Sequence, residues 1–194
     1  MTAETESVPV NRFALFSETM LAGVIVLGLS VPLVTVPAAY AAGTAHLGRH
    51  LSGRDDSVRG LWGTFRAALP GSLKLGLTTA AVAAVVIINL LLAAAGQLPG
   101  GAVVMPATLL LAVAATVLLL RTASRSQPGH WDEALAAART ESVVDWSGSL
   151  LLVAALGLTA VFVWMLPALV IVVPGCLVLA AAAVRLRAEA RSAS

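Results

Sequence analysis

His46 and His50 stand four residues apart, a spacing that puts both imidazoles on one face of a helix. Two imidazoles so placed suit metal ligation, and Asp55 or Asp56 could complete a ligand set. The set stays incomplete. There is no HExxH, no third histidine in the same segment, and His130 lies far along the chain. The two histidines are therefore read as interfacial side chains. Glu18 and Asp145 are the next candidates. An ionisable group deep in a membrane would point to function, but both stand at the mouths of apolar runs, where they reach water or headgroups. Asn89 is the most polar residue inside an apolar run and is expected to hydrogen-bond a neighbouring helix. No glycine-rich loop with a lysine offers to cradle phosphate, and no strand-turn-helix serine motif is present. No catalytic, cofactor-binding or metal-binding residue is assigned, and no enzymatic activity is expected.

These residues must be held by elements of an unusual composition. The 194 residues are 59% hydrophobic and 11% charged, with a mean hydropathy of +0.93. Soluble domains are about 45–50% apolar and about 25% charged. This chain has too few polar groups to cover a water-facing surface. A net charge of +2 gives no case for nucleic-acid binding. Lys74 is the only lysine among twelve basic residues, which, with the Ala, Val, Leu and Gly bias, points to a GC-rich bacterial gene. Cys176 is the only cysteine, so no internal disulfide is possible.

Apolar runs of about 18 or more residues are candidate membrane helices. Residues 19–42, 75–95 and 102–120 qualify. The run from Trp146 to Val184 carries no charge. As one helix it would extend about 60 Å across a core of about 30 Å, so it must fold back. A turn near Met165 to Pro167 divides it into spans 146–165 and 167–185, with Pro174 as a kink inside the last helix. The expectation is an all-α polytopic transmembrane bundle of five spans. Residues 1–18 form an extracytoplasmic tail, 19–187 the membrane domain and 188–194 a cytoplasmic tail.

Basic residues orient the spans. Arg49, Arg54, Arg59 and Arg66 lie between spans one and two. Arg121, Arg125 and Arg139 lie between spans three and four, and Arg185, Arg187 and Arg191 follow span five. Five spans put all three segments on the cytoplasmic face of the cell membrane. The N-terminus is then outside and the C-terminus inside, with Arg12 alone on the other face. Ala39-Tyr40-Ala41 resembles a signal-peptidase site, but the acidic start and the long apolar run argue against cleavage. Pro32, Thr35 and Pro37 are assigned as a structural break in the first span.

In the first cytoplasmic loop Val58, Leu61, Trp62, Phe65 and Leu69 recur on one helical face. Asp55, Asp56 and Ser57 are candidate N-caps, and Pro70-Gly71 ends the segment. A short interfacial helix is expected there, lying on the lipid headgroups. Trp62, Phe65 and Arg66 are its candidate contacts for a partner protein. The second loop repeats the theme more weakly. Pro128-Gly129 opens it, Asp132 and Glu133 fall in a first helical turn, and Trp131 and Leu135 share a face. Trp146 and Trp164 bracket span four as aromatic anchors.

The stretch Pro32, Leu33, Val34, Thr35, Val36, followed by Pro37, Ala38, Ala39 and Tyr40, resembles the end of the first span in the YesL-like family of bacterial membrane proteins. Trp62, Phe65 and Arg66 look like that family's aromatic loop segment. The resemblance implies a five-span, non-enzymatic protein that is an accessory component of carbohydrate uptake by an ABC transporter, with the transporter or its ATPase as partner. It brings no catalytic residues. The alternative is a transporter or permease-like subunit moving a small solute, on a faint likeness of "FRAALPGSLKLGL" to a permease coupling helix.

Overall fold

The computed structural model describes residues 12–51, 57–96, 100–126, 130–165 and 172–192, with side chains from residue 17 onward. Arg54, Asp55, Asp56, Pro128, Gly129 and Pro167, named above, lie outside the described residues. Among the described residues every regular element is helical. There are seven α-helices: α1 (Arg12–Leu29), α2 (Val36–Leu51), α3 (Val58–Ala94), α4 (Gly101–Arg125), α5 (Trp131–Val144), α6 (Trp146–Met165) and α7 (Val173–Ser192). A 3-10 turn, Leu33–Thr35, separates α1 from α2.

The expected first span, 19–42, is two helices and not one. Pro32 has no N–H to continue α1 and biases the residue before it away from helical geometry. Thr35 Oγ1 donates to the carbonyls of Leu29, at 2.5 Å, and Pro32, at 2.6 Å, so the break is hydrogen-bonded internally. Pro37 sits in the first turn of α2, where a missing N–H costs nothing. The break expected at these residues is a full reversal. Glu18 Oε1 lies 2.5 Å from His46 Nε2, although an unbroken helix would hold residues 28 apart about 42 Å from each other. A Cβ on Gly43 would meet the Val26 side chain at 2.7 Å, so α1 and α2 pack closely as a hairpin.

Ser57 caps α3, accepting the Gly60 N–H at 3.3 Å. The expected short loop helix then continues without interruption into the second apolar run. Pro70 lies inside a single 37-residue helix, about 55 Å long. Its buried residues explain why. Leu61, Phe65, Ala68, Ser72 and Gly76 recur every three or four positions on both sides of Pro70, so one face keeps its contacts across the lost hydrogen bond. α3 runs antiparallel to α2, with Gly60 near Arg49 and Gly76 against the backbone of Val34. At Gly76 a Cβ would collide with the Val34 carbonyl, and only glycine permits that approach.

Asn89 Nδ2 donates to Thr108 Oγ1 at 2.9 Å and ties α3 to the antiparallel α4, the interhelical bond expected of it. Trp131 is buried at the start of α5, and a Cβ on Gly71 of α3 would meet its ring at 2.5 Å. α6 and α7 are antiparallel, with Leu152 packed in a cluster with Leu177 and Ala181. Pro174 stands in the first turn of α7 and does not kink its interior; the helix runs on to Ser192.

Three of these helices, α3, α4 and α6, are long and apolar enough to cross a membrane; the apolar part of α1, Ser17–Leu29, is shorter. Their outer surfaces are what lipid requires. Leu91 is 64% exposed and Leu110 72%. Trp146 and Trp164 project from the two ends of α6, about 27 Å apart along the helix, close to the thickness of a hydrocarbon core.

Candidate functional site: a polar layer at the loop face

The ionisable side chains gather at one end of the bundle, where α4 ends, α5 lies and α6 begins. Arg121 is 3% exposed, on the last turns of α4. Its Nη2 donates to the Asp145 carbonyl at 3.1 Å, to Asp145 Oδ2 at 3.3 Å and to Ser149 Oγ at 3.1 Å. Its Nη1 lies 3.5 Å from Glu141 Oε2. Arg125, one turn on, grips the same Glu141 with two bonds of 2.6 Å. This paired geometry is the strong form of the arginine–carboxylate interaction. The pairing has a simple origin. Arg121 and Arg125 are four apart on α4, Glu141 and Asp145 are four apart along α5 and its end, and the two helices are antiparallel.

Asp145 also starts α6. Its Oδ1 accepts the Gly148 N–H at 3.1 Å and the Ser147 hydroxyl at 3.0 Å, satisfying donors that a helix N-terminus leaves free. Burial raises its pKa, but these bonds and the Arg121 guanidinium outweigh that, so the carboxyl is held below the usual carboxylate range. Arg191 of α7 reaches the same group, 3.5 Å from Asp145 Oδ1 and 3.1 Å from Ser147 Oγ. Arg185 donates to the Ser124 carbonyl and pairs with Glu189 at 2.7 Å. One carboxylate thus joins α4, α6 and α7.

The second buried pair is Glu18–His46. His46 is fully buried, and its Nδ1 has no hydrogen-bond partner among the described residues. The pair fixes the open end of the α1–α2 hairpin. His46 is therefore engaged by a carboxylate from another helix. Among the described residues no three His, Cys, Asp or Glu side chains gather in a metal-binding group.

The three residues assigned to partner contact do not share one environment. Trp62 is 49% exposed and Arg66 is exposed, whereas Phe65 is 6% exposed and packs in the core with Leu61, Ala68 and Trp131. The Trp62 and Phe65 rings are in contact, 5.5 Å between centroids. Outward-facing residues are Val58, Trp62 and Arg66, spaced i, i+4, i+8, with Arg59 beside them. Pro32 and Thr35 lie in the hairpin turn, and Pro37 is buried in α2.

Sequence reasoning treated Arg121 only as a topological marker and left Glu141 unassigned. The i, i+4 match of two arginines with two carboxylates across a short loop was the available signal. Glu18 with His46 carried none, being 28 residues apart. Two arginines and two carboxylates here act as a clamp that ties α4, α5 and the start of α6 together. Comparison of the chain with protein-family models, with characterised proteins and with solved structures finds no match.

Proposed function

We propose that the protein is a non-enzymatic, multi-pass accessory component of the bacterial cell membrane that works beside a carbohydrate ABC transporter and presents its basic face to a cytoplasmic partner. The likeness of residues 29–55 and 62–66 to the YesL-like family supports the transporter association. The observation that supports docking is the stripe Val58, Trp62, Arg66 on α3, which faces away from the core that Leu61 and Phe65 enter. An aromatic flanked by arginines suits an acidic protein surface. Replacing Trp62 by Ala and Arg66 by Glu should remove co-purifying proteins from native membranes without loss of expression, because neither side chain is buried. Exposed anchors of this kind cost about 2 kcal/mol each when truncated. Unchanged co-purification would leave the stripe as a lipid-surface anchor.

Our topology has four crossings. The α1–α2 turn packs at Gly76, 18 residues before the end of α3 at Ala94, so it stops about 27 Å short of that end. The hairpin enters and leaves on the face that carries Arg49. α3, α4, α6 and the last apolar run of the sequence, 167–185, then cross. Both termini and every basic segment lie in the cytoplasm, and Arg12, the exception in a five-span chain, joins the rest. A reporter active only in the cytoplasm should work when fused before Met1 and after Arg187, and fail after Pro99. Silence of the N-terminal fusion alone would restore five crossings.

A further inference from the structure

We infer that the groove between α3 and α4 is a binding site for a single anionic phospholipid, its acyl chain lying between the helices and its phosphate at Arg139. The groove has a volume of about 450 Å³ and runs from Leu75 to Ile87 on α3 and from Ala112 to Leu119 on α4. Twelve residues of helix measure about 18 Å, close to the thickness of one leaflet's hydrocarbon, about 15 Å. Both walls belong to helices apolar enough to span a membrane.

The groove makes no demand for a polar occupant along its length. Its threonines are satisfied by their own helices: Thr78 and Thr79 donate to the Leu75 carbonyl at 2.8 and 2.7 Å, and Thr116 to the Ala112 carbonyl at 2.7 Å. Polarity appears at one end only. α5 packs against the end of α4 through Glu141 and Arg125, which places Leu135 and Arg139 at the loop-side end of the groove. Arg139 is exposed and, among the described residues, makes no ion pair. Lys74, also exposed, precedes Leu75 at the same end. An apolar slot one leaflet deep with a cation at its mouth matches an anionic amphiphile. A second copy of the chain would have to seat a helix in a slot of about 450 Å³. A zwitterionic lipid would bring a phosphate with a compensating ammonium.

The test uses the full-length protein in neutral detergent, with retained lipid counted by native mass spectrometry and the unfolding temperature followed as lipid is added. Phosphatidylglycerol and phosphatidylcholine with identical acyl chains are compared, with inorganic phosphate as a third arm. Phosphatidylglycerol should bind with a stoichiometry of one and raise the unfolding temperature more than phosphatidylcholine does. Arg139→Gln, a change at an exposed side chain, should reduce that affinity about fivefold and narrow the gap between the two lipids to what Lys74 supplies, and Arg139→Lys should restore it. Ala115→Phe, which fills the groove, should abolish retention of either lipid. Equal binding of both lipids to the native protein, or a preference undiminished in Arg139→Gln, would overturn the assignment. Stabilisation by phosphate alone equal to that by phosphatidylglycerol would overturn the acyl-chain part. A dimer in delipidated detergent that crosslinks through a cysteine introduced at Ala83 or Ala115, with Cys176 changed to Ser, would replace the lipid with a second protomer.

Discussion

The two ends of this bundle are built in different ways. At the loop face, nine of the sixteen residues of α2 are buried. All five buried residues of α3 lie at or before Gly76, and six of seven in α4 lie at or after Val117. The buried ion pairs are there too. At the opposite end the most apolar stretch of α3 buries nothing, and α6 buries nothing beyond Leu152. Water and headgroups border the first region, so apolar surface there must be covered by protein and charges must be paired. Lipid tails border the second and are as apolar as leucine, so uncovered side chains carry no penalty. Helix–helix packing in this chain is spent where the solvent changes, and Asn89–Thr108 is the polar tie holding α3 to α4 in the hydrocarbon.

Substitutions at the two ends should separate accordingly. Arg121→Met leaves Glu141 and Asp145 without their most buried partner, and breaking such a group costs about 3–5 kcal/mol. It should give the steepest fall in unfolding temperature in detergent; a fall no larger than that of a surface variant would mean the layer is hydrated and adds little. Gly76→Ala drives a methyl into the Val34 backbone, which cannot rotate away as a side chain could. Overpacking of this kind costs about 1–3 kcal/mol, and the hairpin should loosen selectively, seen as faster proteolysis near residues 30–35. Proteolysis unchanged from the native pattern would place the tip elsewhere. Glu18→Ala strands a fully buried His46, for about 1–3 kcal/mol, with its effect confined to the same hairpin. Leu91→Ala, at the lipid-facing end, should stay within about 0.5 kcal/mol. A large loss there would show that α3 is covered by another helix.

Acid should act only on the packed end. Asp145 has a folded-state pKa below the ordinary carboxylate value of about 3.9. The stability it contributes is therefore complete above that value and is lost as pH falls through the lower, folded one. The unfolding temperature should drop on acidification below about pH 4, and Asp145→Asn should flatten part of the drop. An identical acid profile in Asp145→Asn would assign the loss to other carboxylates.

The sequence was most legible where lipid does the work. Uninterrupted apolar runs locate α3, α4 and α6, because the bilayer asks only for length and hydrophobicity, and the Trp146–Trp164 bracket follows from the same rule. Ser57 was readable as a cap because capping is local. The partners of the buried groups were not. Whether Pro32 bends a helix or reverses it depends on what the far arm finds to pack on, and the close approach at Gly76 decides that. Pro70 was read as a stop because propensity is local, whereas the face that carries α3 through it is completed by α2. The i, i+4 spacing of Val58, Trp62 and Arg66 was visible, but it took the core position of Phe65 to show which side of the helix faces out.

In the four-crossing arrangement nothing before α3 has to be carried through the bilayer. The ribosome would then deliver the hairpin and Arg49, Arg54, Arg59 and Arg66 before the first residue is translocated. Targeting and orientation, which a single leading span must perform together, become successive events. On that proposal the hydrophobic α1 would bring the nascent chain to the membrane, and the arginines would already be in place when α3 has to choose its direction. With the N-terminus inside, the acidic residues Glu4 and Glu6, an awkward passenger for export, would stay in the compartment in which they are made.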